Sequence, residues 1–324
     1  MKALRVHGYG PDDGIVADTL PVPEPTAGQV RMRVLACGIS FVDLLVARGG
    51  YQVRLEPPFI PGSEFSGIVD AVAEGTDTPL RPGDRVCGTR QGAWAEFICV
   101  DAPRVHRLPP EASVPETAVL VAPYATAQYA LHHRGQLRSG ETVLVLGAAG
   151  GVGHAAVQLA ALHGARVIAA ATGAAKREAA LAAGAHAALD PTAADWKDET
   201  RRLAGPQGVD IVFDTVGGEA TDTAFRTLGW GGRHLMVGFA SGSIGTLKSN
   251  LAIVKGAALV GVDFRQAGER QPTLAAAVRE QVVALYTQGR IRPRVQAVLP
   301  FERHAEAAAL AQDRRTLGRV VVTF

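Results

Sequence analysis

The chain is poor in the features that would tie it to an oxidising compartment, a membrane or a polyanion. Of its 324 residues only three are cysteine, Cys37, Cys87 and Cys99. That odd, sparse set argues against a disulfide framework and for a reducing cytosol. Charge of one sign is also missing. The 33 basic and 31 acidic residues are interspersed and leave a net charge of +2, so nothing favours nucleic acid or a membrane surface as partner. The longest apolar runs, such as LAIVKGAALVGV, are broken by Lys or Gly and fall short of the ~20 residues that span a bilayer. The opening segment MKALRVHGYGPDDG has no apolar core of signal-peptide length. The expectation is a soluble, cytoplasmic protein, and its length suggests two domains.

Residues 1 to about 120 read as mostly β. The runs QVRMRVLA (29–36), FSGIVDAVA (65–73), DRVCGT (84–89) and AEFICV (95–100) are short and β-branched, with Pro- and Gly-rich punctuation such as PVPEP, PPFIPG and RPGD between them. That pattern predicts a barrel-like or sandwich-like unit, interrupted by one helix around Phe41–Arg48 that ends at Gly49-Gly50. From about residue 140 the texture changes. TVLVL (142–146) is an apolar strand of the kind buried on both faces of a parallel sheet. Strands and helices of about ten residues then alternate to about residue 260, which predicts βαβ units and a parallel sheet. A long helix (272–289) and a closing strand (319–324) follow, so the β-rich domain is expected to reclaim the C-terminal tail.

The strongest motif is VLVLGAAGGVG (143–153), set after a predicted strand and opening a helix. Gly150 and Gly151 let the backbone approach a pyrophosphate, with Ala149 and Val152 beside them. Gly153 lets the helix pack close to the strand, and the first helical N–H groups face the phosphates. Ala148 stands where the first Gly of G-x-G-x-x-G would sit. An NAD site needs an acid at the end of the second strand for the ribose 2′-hydroxyl. The chain reads VIAAATG (167–173) there, ending at Thr172-Gly173, with Lys176 and Arg177 just beyond. The missing acid and the two cations favour NADPH over NADH, although a solvated helix start also accounts for the cations.

The chain resembles the medium-chain dehydrogenase/reductase superfamily and, within it, the zinc-independent quinone oxidoreductases of the zeta-crystallin type. The resemblance runs through GISFVDLLVARGGY (38–51), FIPGSEFSGIV (59–69), RPGDRV (81–86), ATAQYAL (125–131), GVDIVFDTVGGE (208–219), MVGFASG (236–242) and LGRVVV (317–322). It implies an α/β fold: a Rossmann NADPH-binding domain with a doubly wound parallel sheet (123–264) and a β-rich GroES-like catalytic domain (1–122 and 265–324). Zinc enzymes of the superfamily carry a Cys in the segment matching Gly38-Ile39-Ser40 and Gly-His-Glu in that matching Gly62-Ser63-Glu64. Here Ser40 and Ser63 stand instead, and neutral hydroxyls are poor zinc ligands beside thiolate and imidazole. No metal is expected, and the three cysteines read as small apolar filler.

The resemblance also places residues. Ser40, Asp43 and Tyr51 would line the acceptor and nicotinamide, although an Asn is usual at the position of Ser40 and some relatives have a Tyr at that of Leu45. Asp43 is equally a helix-start residue, and Tyr51 equally a strand-edge aromatic. Thr126 and Tyr129 would approach the nicotinamide ribose and phosphates, or simply pack a helix. Gly238 and Phe239, after a late strand, would meet the nicotinamide, with Lys248 and Asn250 in the following loop. Arg314 would approach a phosphate. All nine histidines read as structural or surface residues. The implied reaction is hydride transfer from NADPH to a quinone in a cleft between the domains, with solvent supplying the proton. An alkene reductase acting on enones, enals or acryloyl thioesters and a non-catalytic NADPH-binding protein are the alternatives. Relatives dimerise through the Rossmann sheet edge, so a homodimer is expected. The other expected partner is a small electrophilic acceptor, quinone or enone.

Overall fold

A computed structural model of the chain describes residues 1–9 and 14–324. It divides into two compact units, Met1–Ala122 with Arg279–Phe324 and Pro123–Val278.

The first unit begins with an antiparallel pair, β1 (Lys2–Val6) and β2 (Ile15–Thr19). It continues through β3 (Gln29–Ile39), α1 (Phe41–Ala47), β4 (Glu64–Val72), β5 (Arg85–Thr89), β6 (Phe97–Asp101), β7 (Val105–Arg107) and the short α2 (Val114–Thr117). The strand β3 alternates inward Val30, Met32 and Val34 with more exposed arginines, the period-two pattern of a sheet with one buried face. Its inward side chains meet Phe65, Trp94 and Val100 in the core of this unit.

The second unit opens with α3 (Val121–Gln128), begun at the boundary and continued by a π-type turn over Tyr129–Arg134. Strands and helices then alternate: β8 (Thr142–Leu146), α4 (Gly151–Leu162), β9 (Arg166–Ala170), α5 (Ala174–Ala182), β10 (Ala187–Leu189), α6 (Trp196–Ala204), β11 (Val209–Asp214), α7 (Glu219–Phe225), β12 (Leu228–Met236), α8 (Asn250–Lys255) and β13 (Ala258–Gly261). The six strands pair in parallel in the order β10-β9-β8-β11-β12-β13. That is the doubly wound order 3-2-1-4-5-6, whose direction reverses between β8 and β11. Every residue of β8 is buried, as helices on both faces require.

After α9 (Phe264–Arg270), the helix α10 (Pro272–Thr287) carries the chain back into the first unit. There β14 (Val295–Pro300), α11 (His304–Gln312) and β15 (Arg319–Thr323) complete a seven-strand sheet in the order β14-β15-β3-β4-β5-β7, with β6 paired to β3. Asn250 lies in α8 rather than in a loop. Its helix escaped the sequence reading because Ile253 and Val254 point outward, which erases the polar face that an amphipathic helix normally displays. Among the described residues no helix is long and apolar enough to cross a membrane.

Candidate active site

In the second unit the reversal point falls at the carboxyl ends of β8 and β11, where Leu146 pairs with Asp214 and where ligands of open α/β sheets lodge. The turn after β8 is made by glycine for steric reasons. Gly147 has φ +70°, and a Cβ there would lie 2.4 Å from Thr215 Oγ1. A Cβ on Gly153 would lie 2.1 Å from the Gly147 carbonyl oxygen, so α4 can approach the turn only through this glycine. Gly150 differs: its φ of −78° suits any residue, and its Cβ would make only an ordinary contact at 3.4 Å. Glycine at 150 is therefore surplus to the backbone, as expected where a ligand passes close by. Gly150 caps α4, with Gly151, Val152 and Gly153 forming its first turn and Ala149 just before. The residues fit a dinucleotide pyrophosphate: a bare turn beneath free helical N–H groups.

The neighbouring loops are tied together by Asp214, which is fully buried. Its Oδ1 accepts from the N–H groups of Val216 (2.8 Å) and Gly217 (2.9 Å). Its Oδ2 accepts from Thr221 Oγ1 (2.8 Å) and pairs with His234 Nε2 (3.0 Å). Burial works to raise this carboxyl, but the bonds and charge from His234 outweigh it, with Gly217 N–H and the Thr221 hydroxyl adding to them, and hold it below the usual carboxylate range. The loop after β12 is laced to this one: Ala240 N–H donates to Thr215 O and Ser241 N–H to Val216 O. Gly238 and the half-exposed Phe239 project from that lacing, over Gly217. Sequence reasoning missed Asp214, whose only local signal is an acid closing the apolar run VDIVFD.

Of the other nucleotide-side residues, Thr126 is half-buried in α3. The Tyr129 ring is buried against Phe264 (centroids 5.6 Å) and His133 (6.0 Å). Thr172 is exposed at the end of β9, and Lys176 is half-buried in α5. Arg177 Nη1 lies 2.6 Å from Asp190 Oδ2, just after β10. Asn250 is exposed.

In the first unit, Ser40 caps α1 and forms a reciprocal box with Asp43. Ser40 N–H (3.0 Å) and Oγ (2.6 Å) donate to Asp43 Oδ2, and Asp43 N–H donates back to Ser40 Oγ (2.9 Å). Ser63 also bonds this carboxylate, so Ser40 and Ser63 meet on one buried acid. Beside them Glu64 Oε1 takes Arg319 Nη2 at 2.6 Å, and Glu64 Oε2 accepts from Ala122 N–H at 3.1 Å. Burial pushes both carboxyls above their ordinary values, against the opposing pull of Arg319 and the hydrogen bonds. The adjacent Cys37 thiol is pushed up by burial and by the carboxylates of Asp43 and Glu64, so it stays protonated and unreactive. Arg319 reaches this cluster past Gly38, where a Cβ would lie 3.1 Å from its Nη2. Tyr51, half-buried in the irregular segment after α1, takes no part in the cluster. Arg314 is exposed between α11 and β15.

The cluster does not suit a zinc ion. Its hydroxyls are neutral and engaged with Asp43, and its second carboxylate is neutralised by Arg319. Among the described residues no three His, Cys, Asp or Glu side chains come together as a metal set.

Two family models match the chain: "Alcohol dehydrogenase GroES-like domain" over residues 26–110 and "Zinc-binding dehydrogenase" over residues 151–280. The rat "Quinone oxidoreductase-like protein 2" is 34% identical over 305 residues, 93% of this chain and 87% of that protein. A solved mycobacterial structure complexed with NADPH superposes with a TM-score of 0.90 at 29% identity, covering 100% of both chains. The CurK enoyl reductase superposes with a TM-score of 0.90 at 27% identity, covering 99% of this chain and 98% of its own.

Proposed function

Because this chain belongs to the quinone oxidoreductase branch of the medium-chain dehydrogenase/reductase family, we propose that it is an NADPH-dependent reductase that passes a hydride to a quinone without a metal. The observation that carries this reading is the bare turn Gly147–Gly153, where close approach of α4 and the superfluous glycine at 150 leave room for a pyrophosphate. The dihydronicotinamide of NADPH, when bound, supplies the hydride.

The chain's own residues bind and orient. The first N–H groups of α4 hold the pyrophosphate, Thr172, Lys176 and Arg177 lie on the adenosine side, and Gly238 with Phe239 meets the nicotinamide. Thr126, Tyr129, Asn250 and Arg314 complete the set of nucleotide-side residues. Ser40, Asp43 and Tyr51 serve the acceptor. While Asp43 is ionised, the Ser40 hydroxyl hydrogen is directed at Oδ2 and polarises no substrate carbonyl. An acceptor that becomes aromatic on reduction needs no such help, and solvent supplies its proton.

The second reading is an alkene reductase, favoured by the likeness to the CurK enoyl reductase. The two are separated by following NADPH oxidation with 1,4-benzoquinone and with a 2-alkenal in parallel, beside NADH controls. Turnover of the quinone alone supports the main reading. Turnover of the alkenal alone replaces it with the second, and silence with both overturns both for small acceptors.

The sparse cysteines favour a cytosolic setting. A homodimer is proposed through the sheet edge at β13, which carries the exposed Leu259, with the exposed Trp230 of β12 and Ile253 and Val254 of α8 as further apolar surface (Trp230 and Ile253 each 82% exposed).

A further inference from the structure

The sequence lacks an acid at the end of β9, where a dinucleotide fold that accepts NADH places one. The fold brings one in from the neighbouring strand. Parallel pairing sets Leu189 of β10 opposite Ala170 of β9, and Ala171 N–H donates to Leu189 O (3.1 Å). Asp190, the next residue, therefore lies alongside the turn Ala171–Gly173 that leads into α5.

Its carboxylate is held there from four directions. Gly173 N–H donates to it, Arg177 Nη1 lies 2.6 Å from Oδ2, and Thr192 donates to Oδ1 through its N–H (3.0 Å) and its hydroxyl (2.6 Å). The Thr192 hydroxyl and N–H, with Arg177 and Gly173, pull this acid down to about 2, so it is an anion throughout the physiological range. The pair is accessible rather than sealed, with Asp190 31% and Arg177 28% exposed.

We propose that Asp190 sets the choice of nicotinamide cofactor: it occupies the Arg177 guanidinium and the Gly173 N–H that a 2′-phosphate would use, and offers a carboxylate to a 2′-hydroxyl. This rests on the nucleotide-site reading above and refines it. A 2′-phosphate adds ~1.5–2 negative charges and enters beside a fixed carboxylate that already shares its arginine. A ribose 2′-hydroxyl meets instead the acceptor that β9 does not provide. The chain therefore accepts NADH beside NADPH, and the absence of an acid at Thr172 does not by itself impose the phosphorylated cofactor.

The test is direct titration of cofactor fluorescence with NADPH and NADH, with no acceptor present. For the natural chain the two affinities lie within about tenfold of each other. Asp190→Asn keeps the shape, removes the charge and shifts the ratio at least about tenfold toward NADPH, by gain on NADPH and loss on NADH. Thr192→Val, which loosens the carboxylate without removing it, shifts the ratio in the same direction by less. It keeps the test available should Asp190→Asn fold poorly. An unchanged ratio in both variants, or a shift toward NADH, overturns the role of Asp190 while leaving the nucleotide site standing. If neither the natural chain nor the variants bind either dinucleotide, the site reading falls and this inference with it.

Discussion

Arg319, on β15, places Nη2 2.6 Å from Oε1 of Glu64, on β4, across 255 residues of sequence. The two side chains are 11% and 1% exposed. Removing one member of such a pair leaves the other as a buried, uncompensated charge. Arg319→Met is expected to cost about 3–5 kcal/mol of stability, read from urea unfolding of the first unit. Arg319→Met combined with Glu64→Gln should recover much of that loss. Equal losses in the single and double variants would show that the pair is not what the cost reflects.

Gly153→Ala and Gly150→Ala should part company. A methyl added at position 153 would meet the Gly147 carbonyl at 2.1 Å, so backbone must move, and both thermal stability and NADPH affinity fall, the latter by at least about tenfold. A methyl added at position 150 meets nothing closer than 3.4 Å. That variant should melt like the natural chain yet bind NADPH weakly. If Gly150→Ala binds normally, the pyrophosphate does not lie against residue 150.

The glycine turn was legible because its signal is local: a five-residue apolar strand, a glycine spacing and a helix follow one another without interruption. The parallel sheet was legible for the same reason, as each βαβ unit repeats the pattern. Glu64–Arg319 and Asp190–Arg177 were not, because each joins residues on separate elements and neither partner carries a local mark. In the stretch 114–134 a helix was legible around Thr126 and Tyr129, but the bounds of its elements were not. Most of its residues through 131 are buried and apolar positions recur on all sides, so no periodicity marks where one face ends.

His106 predicts a slope in stability with pH. It is 8% exposed, its Nε2 has no partner, and burial, with Arg279 adding, pulls it down to about 4. A folded value below the ordinary 6.5 means that the neutral ring contributes stability fully above that ordinary value, which is lost as pH falls toward about 4. Between about pH 7 and pH 4 the natural chain should lose about 2–3 kcal/mol more than His106→Leu. Parallel losses in chemical denaturation would refute this.

Ser40→Ala should cost ~1 kcal/mol of stability as a lost helix cap, but less than about tenfold in kcat at pH 7, because its hydrogen already serves Asp43. Asp43 has a raised value, so lowering the pH through it protonates the acid and releases that hydrogen. Any gain in kcat/KM on acidification should therefore vanish in Ser40→Ala. A loss of several hundredfold at pH 7 would make Ser40 a direct donor to substrate.

Leu259→Lys places a charge on the exposed edge strand β13. The natural chain should elute as a dimer and the variant as a monomer in light-scattering chromatography, with unchanged NADPH binding. A natural chain that is monomeric at micromolar concentration would remove the sheet-edge assembly.

The position of β15 in its sheet bears on how the protein is made. It pairs with both β14 and β3, and Val320 faces Ile39, the residue before Ser40. Residues 36–39 of β3 thus leave the ribosome early but lack this neighbour until residues 320–323 follow. The intervening residues include the whole second unit and take about 14–56 s to synthesise. During that time the nucleotide unit can fold while the wall behind Ser40 stands open on one side. A nascent chain released before residue 319 should therefore bind cofactor yet present an open strand edge to chaperones, and reductase activity can arise only after synthesis has passed β15.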